Sequence, residues 1–202
     1  MSATLSEHPP LPSFGKNIRL IRVRSAEEAM PYRSSFVGAY QTVWTAPPYR
    51  EVFYPYEAES VLKRTLDTPD NLMLLAVRGE TQVVGFGFAV PLASRIDVSR
   101  HMQGLLPVQH TFYLAELGVL PRYRKLGLGR ALIDERLNRI DGRYSHAVLR
   151  TSATRHAGYE LYMDLGFDDI GVYMEVPSRR LDGNVTTDRR LFLSKVLEHT
   201  QS

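Results

Sequence analysis

Leu117-Gly118-Val119-Leu120-Pro121-Arg122-Tyr123-Arg124-Lys125-Leu126-Gly127-Leu128-Gly129-Arg130 reads as a strand end, a basic glycine turn and the first turn of a helix. His110 to Leu120 leads into it as a strand. Ile133, Leu137 and Ile140 follow at helical spacing, so the helix runs to about Ile140. A glycine at 127 can take a backbone conformation closed to residues with a Cβ, and Gly129 keeps the first helical turn bare. Main-chain N–H groups in such a turn, together with the helix N-terminus, can hold a pyrophosphate. Arg124 and Lys125 can add charge pairing. An ordinary strand-to-helix turn fits the same residues, and the turn by itself leaves both readings open. A P-loop is excluded because no Gly-Lys-Ser/Thr ending is present, and a dinucleotide fold because the first strand lacks G-x-G-x-x-G.

Upstream of the turn, residues 1–17 are polar and proline-containing, and are expected to be a flexible lead-in to a single domain spanning 18–202. Ile18 to Arg24 alternates as a strand, and Ser25 with Glu28 forms a capping-box pattern. Phe36, Val37, Tyr40, Val43 and Trp44 mark one face of a helix that should stop before Pro47-Pro48. Tyr49 to Tyr56 is expected to be a loop lined with aromatics and acids, followed by a short helix carrying Val61, Leu62 and Leu66. Leu72 to Val77 and Val83 to Val90 read as a hairpin, with Gly85 and Gly87 on one face leaving room for something to approach closely. Pro91 to Gln109 is expected to be a loop.

Downstream, Ala147 to Arg150 is a short strand, Thr154 to Leu165 a helix, Ile170 to Val176 a strand, Leu181 to Asp188 a long hairpin loop and Leu191 to Leu197 a final strand. This order implies an α/β fold with a mixed, mostly antiparallel sheet of six to seven strands and helices on both faces.

Composition narrows the function. With 202 residues, 44% apolar and 23% charged, the chain is an ordinary globular domain. A net charge of +3, with basic residues only locally clustered, does not call for nucleic acid but suits a small anionic ligand. The absence of cysteine removes disulfides, thiolate metal sites and cysteine nucleophiles, and no metal is expected. No segment is long and apolar enough to span a bilayer and no signal sequence is evident, so no membrane association is expected and the cytosol is the expected location.

The run from Leu117 to Arg130, with R-x-x-G-x-G at Arg124, Gly127 and Gly129, resembles the GNAT superfamily of N-acetyltransferases. A second block, Leu161-Tyr162-Met163-Asp164-Leu165-Gly166-Phe167, matches that family's Leu-Tyr followed by Gly-Phe at the right interval. The likeness extends over roughly Ile18 to Leu197. It implies acetyl-CoA as co-substrate, with the main chain of Leu117, Gly118 and Val119 along the pantetheine arm and Arg124, Lys125, Leu126, Gly127, Leu128, Gly129 and Arg130 around the pyrophosphate. It also implies that Tyr162 serves the departing thiolate; the competing reading is a core aromatic, with Tyr159 nearby. At Arg155 many family members carry Asn, which puts one pantetheine contact in doubt.

An alkyl ammonium must lose a proton before it can attack. Glu116 is the candidate base: on simple alternation it shares a face with Phe112 and Leu114. A structural or substrate-binding carboxylate is the alternative, and His110 is a weaker candidate. Glu51, Tyr54 and Tyr56, with Glu57 and Glu59 close by, are candidates for holding a cationic small-molecule amine; a solvated loop packed by its tyrosines is the competing view. Ala46 to Glu51 resembles a helix-end segment of small-molecule acetyltransferases related to aminoglycoside modifiers. Acetylation of a protein N-terminus or lysine, and a non-catalytic acyl-CoA-binding module, are the alternatives. A homodimer is left open.

Overall fold

The computed structural model describes residues 13–14, 17–154 and 156–198. Its strands are β1 (Ser13–Phe14), β2 (Ile18–Val23), β3 (Leu72–Arg78), β4 (Gln82–Pro91), β5 (Thr111–Val119), β6 (His146–Ser152), β7 (Asp168–Arg179) and β8 (Val185–Val196). They form one sheet in the order β1-β2-β3-β4-β5-β6-β8-β7. All neighbours are antiparallel except β5 and β6. That parallel pair requires a crossover, supplied by the glycine turn and α5 (Leu128–Leu137). The remaining helices are α1 (Ala26–Ala29), α2 (Arg33–Thr45), α3 (Pro55–Asp67), α4 (Ile96–Ser99) and α6 (Ala157–Asp164). No helix among the described residues is long and apolar enough to cross a membrane.

Local chemistry explains the helix starts. Ser25 Oγ accepts from the Glu28 N–H at 3.1 Å, and the Glu28 carboxylate accepts from the Arg24 N–H at 2.8 Å, a reciprocal cap one residue offset from the usual box. α3 begins at Pro55, earlier than Val61 to Leu66 imply: proline suits the first helical position, and Glu57 reaches back to the Tyr54 N–H at 2.6 Å. Tyr56, Glu57 and Glu59 are therefore helical rather than part of a loop.

Helices cover both faces of the sheet. On one face α2 and α3 bury Phe36, Tyr40 and Val43 against Met73, Leu75, Phe86 and Phe88. On the other, α5 sets Leu128 and Leu132 against Leu74, Ala76 and Val84, while Ile133 joins Phe112, Leu114, Tyr159 and Tyr162. The segment 91–110 is not a bare loop. It contains α4 and helical turns at Leu92–Ser94 and Val108–His110, and it buries Leu92, Val98 and Met102 over Tyr113, Val148 and Phe192.

Both ends of the sheet extend further than the sequence implies. Ser13 and Phe14 pair with Arg19 and Ile18, and Phe14 packs against the Ile18 cluster, so order starts before Ile18. Residues 1–12 lie outside the described residues. The β7–β8 hairpin continues past the core through pairs from Tyr173↔Leu191 to Arg179↔Val185. The second half of Leu181 to Asp188 is therefore strand, and the turn spans only residues 180–184.

The β4–β5 ladder carries an irregularity that decides the site. Phe88 faces Glu116 and Val90 faces Tyr113, so two steps along β4 match three along β5. One extra residue in β5 reverses the alternation beyond it. Glu116 therefore does not share the face of Phe112 and Leu114; it points to the α2 side, where its carboxylate accepts from Tyr40 Oη at 3.4 Å. In the same stretch β5 leaves β6: their last pair is Leu114↔Leu149, and residues 115–119 have no strand partner on that side among the described residues.

Candidate active site

The glycine turn stands at the open end of this parting. Lys125 and Gly127 both have positive φ, +63° and +81°, and Gly127 is the N-cap of α5. The hydrogen bonds of the turn close at Tyr123 N–H to Leu120 O and Arg124 N–H to Pro121 O, and resume at Ala131 N–H to Gly127 O. Between them, the N–H groups of Lys125 through Arg130 make no backbone hydrogen bond among the described residues. Six consecutive N–H groups left free at a helix N-terminus are donors of the kind that can hold an anion. The side chains contribute less. Arg124 is turned inward, its Nε donating to Val119 O at 3.2 Å and its Nη1 to Pro47 O at 3.1 Å. Arg130 approaches Asp164 at 3.8 Å, Leu126 is exposed and Leu128 is buried in the core. Leu117 is partly buried beneath α5, beside Val119. Gly118 is a glycine for a steric reason, because a Cβ there would lie 2.3 Å from Phe86 Cζ. Arg155 lies outside the described residues.

Arg136, which the sequence does not single out, closes the base of the parting. It is fully buried on α5, and its Nη1 donates to Phe88 O at 2.9 Å and Glu116 O at 3.0 Å, bridging β4 and β5 at the bulge. Burial pushes its pKa down to about 10, with Tyr162 and Glu116 acting in the opposite direction. What approaches the bare face of β4 is this guanidinium: a Cβ at Gly87 would lie 3.0 Å from Arg136 Nε. The signal present in the sequence was that glycine, opposite an arginine at a buried helical position.

Glu116 is half-buried. Desolvation raises its carboxyl above the ordinary range, opposed by the charges of Arg150 and Arg95, the Tyr40 hydrogen bond and Arg64. Tyr40 is itself driven up by burial and by Glu116. His110 lies at the far end of β5, roughly 20 Å away at about 3.3 Å per residue, with its Nδ1 at 3.0 Å from Arg143 O.

Tyr162 is buried on α6, edge-on to Phe167 at 5.8 Å. Burial raises its phenol far above the usual value. Arg136 opposes this, while Tyr49, Tyr113 and Glu116 add to it. Tyr159 is buried in the same cluster.

The candidate acceptor contacts are engaged within the chain. The Glu51 carboxylate, almost inaccessible, pairs with Arg190, and Glu51 bridges to Arg180 as an isolated strand contact. Tyr54 lies under the Arg179 guanidinium at 4.6 Å, and Tyr56 is exposed and stacked on Tyr54 at 5.8 Å. Val52 N–H donates to Arg179 O at 2.8 Å, and Arg179 pairs with Glu57 at 3.1 Å. The α2–α3 connection is thus latched to the β7–β8 hairpin. Beside the latch lies a cavity of about 310 Å³ lined by Tyr49, Glu51, Thr154, His156, Asp188 and Arg190, among others. His156 Nδ1 accepts from the Gly158 N–H at 3.0 Å, capping α6 and leaving Nε2 buried without a hydrogen-bond partner among the described residues. Among the described residues no group of three His, Asp or Glu is placed to hold a metal ion.

No curated protein sequence matches the chain. Solved structures do. The ribosomal-protein-alanine N-acetyltransferase of Brucella melitensis superposes with a TM-score of 0.60 at 18% identity, covering 88% of this chain and 99% of its own. The ribosomal-protein-S18-alanine N-acetyltransferase of Escherichia coli gives 0.58 at 14%, covering 91% and 96%. Arabidopsis thaliana NAA60, in complex with a bisubstrate analogue, gives 0.60 at 16%, covering 90% and 99%. At these identities the likeness is one of fold, and it matches the mixed sheet with flanking helices expected from the sequence. The sequence model of the Acetyltransferase (GNAT) family matches residues 31–167, from the start of α2 to the Gly166-Phe167 block. With two thirds of the chain under that match and the parted strands and glycine turn in place, this protein belongs to the GNAT family of N-acetyltransferases.

Proposed function

We propose that the chain transfers an acetyl group from acetyl-CoA to the primary amine of a small molecule, by direct attack within a ternary complex. The observation that carries the donor half is the run of six free N–H groups from Lys125 to Arg130 at the open end of the β5–β6 parting. These residues fit a pyrophosphate, and the unpaired edge of β5 at Leu117, Gly118 and Val119 fits an extended amide-bearing arm. Acetyl-CoA supplies the activated acyl group. Tyr162 then acts as a hydrogen donor to the leaving sulfur: its raised phenol pKa keeps it protonated, and its hydroxyl has no hydrogen bond to another described group. Glu116, with its raised pKa, accepts the proton released by the amine, directly or through water. No cysteine is available for a covalent acyl-enzyme.

The latch supports a small acceptor. With Glu51, Val52 and Glu57 tied to Arg190 and Arg179, the α2–α3 connection and the β7–β8 hairpin are held together, which favours a compact acceptor over an extended peptide. Glu51 and Tyr54 thereby shape the acceptor side by closing it, and Tyr56 remains at its exposed rim. Acetyl-CoA at about 100 times its Kd stabilises a folded protein by roughly 2.7 kcal/mol, which for a chain of this size raises Tm by about 5–10 °C. Absence of any shift would remove the donor assignment. CoA release measured across amine and peptide panels separates the acceptors, and turnover confined to peptides would overturn the small-molecule reading.

A further inference from the structure

Arg150 is the first residue of β6 beyond its last pair with β5. It lies opposite Phe192 of β8 and two residues after Val148, so its side chain stands on the face that buries Val148, Phe192 and Tyr113. The bulge in β5 turns Glu116 to this same face. A guanidinium and a carboxyl therefore flank the parting on the acceptor side, one from each separated strand. Arg150 is half-buried and forms no ion pair with any described carboxylate; its hydrogen bond goes to Met174 Sδ at 2.9 Å, a weak acceptor. The neighbouring arginines are compensated. Arg95 is held by both oxygens of Asp97, at 3.0 and 2.9 Å, and Arg190 by Glu51 and Asp188. A half-buried guanidinium with no direct ion pair among the described residues, felt by Glu116 and Asp97 only as a nearby charge, can receive an anionic ligand, and its planar fork matches a carboxylate. Neither a pantetheine arm nor a simple ammonium provides one.

We propose that the acceptor is a compact amine that also bears a carboxylate, in the manner of an amino acid, with Arg150 receiving the carboxylate while the amine lies toward Glu116. This rests on the amine-acetylating reading above and narrows its substrate class. Neighbouring strands are about 4.8 Å apart before they part, so amine and carboxylate must be separated by only a few bonds.

The test uses matched amines with and without the carboxylate: β-alanine against ethylamine, lysine against cadaverine, phenylalanine against phenethylamine. Phosphoethanolamine against ethanolamine serves as a phosphate arm. In CoA-release assays the carboxylated member of a pair is favoured in kcat/KM by roughly tenfold or more, as expected for a charged hydrogen-bonding contact. Arg150→Met brings that ratio toward one, and Arg150→Lys, which keeps the charge and loses the fork, retains part of it. Equal use of both members, or a preference that survives Arg150→Met, overturns the proposal, and a preference confined to the phosphate arm overturns the carboxylate. Calorimetric binding of the same pairs to the CoA-loaded protein keeps the two readings apart. Carboxylate-dependent binding that Arg150→Met abolishes, without turnover, upholds the inference while the transfer reading fails. Absence of carboxylate-dependent binding overturns the inference whether or not acetylation occurs.

Discussion

Burial raises the pKa of both Glu116 and Tyr162; in the proposed transfer this makes the carboxylate a stronger base and keeps the phenol protonated as a hydrogen donor. The raised carboxyl of Glu116 means that the folded chain holds this proton more tightly than the unfolded chain. Its contribution to stability is complete below the unfolded value of about 4.3 and is lost as pH rises through the folded value. Glu116→Gln should therefore flatten the pH dependence of Tm over that window and leave the variant at least as stable as the parent at pH 7. It should also abolish the acid limb of the kcat/KM profile, a limb lying above the usual carboxylate range. An unchanged limb in the variant excludes Glu116 as the base. For Tyr162, whose phenol is held well above its ordinary value, Tyr162→Phe should lower kcat roughly 100-fold with little effect on the KM for acetyl-CoA. Stopped-flow detection of free thiol would show this, and a variant with full kcat would reduce Tyr162 to a core aromatic.

At the scale of elements, one tight cross-strand contact joins β4 to the stretch of β5 that has left β6. Gly118 faces Phe86 with no room for a Cβ, and Phe86 cannot retreat because it is stacked on Tyr40 and packed edge-on against Phe36. Gly118→Ala should cost about 1–3 kcal/mol by overpacking. Combining it with Phe86→Leu should recover a good part of the loss in urea titrations, because the shorter side chain vacates the position. A strictly additive pair would show that the contact is not the reason for the glycine. The same region shows what pattern reading could and could not reach. The strand, turn and helix were legible because their periodicities are local. The extra residue in β5 was not, because Phe112 to Glu116 carries no glycine or proline to mark it and the register is set by β4.

Across the whole molecule, the latch joins residues 139 positions apart, Glu51 and Arg190, in a pair that is almost fully buried. Removing one partner leaves a buried charge, so Arg190→Met should destabilise by roughly 3 kcal/mol, whereas Arg190→Met with Glu51→Leu should recover more than half of it. Chemical denaturation of the two variants checks this, and equal losses would mean that the charge pair is not what closes the groove. If the latch also excludes long acceptors, the double variant should acetylate peptides better than the parent does.

The proposed donor side was legible in the sequence alone, because backbone amides would hold the pyrophosphate and a contiguous run from Leu117 to Arg130 suffices to place them. Tyr162, Gly166 and Phe167 identified the family for the same reason, since they repeat a short spacing. The acceptor side belongs to the tertiary structure. Glu51, Tyr54 and Tyr56 had the composition to bind a cation, but Glu51 is claimed by Arg190 and Tyr54 by Arg179, both from a hairpin more than 120 residues away. Arg136 and Arg150 carried no local signal. One acquires its role from carbonyls exposed at a bulge and the other from the divergence of two strands, features set by the pairing of distant segments.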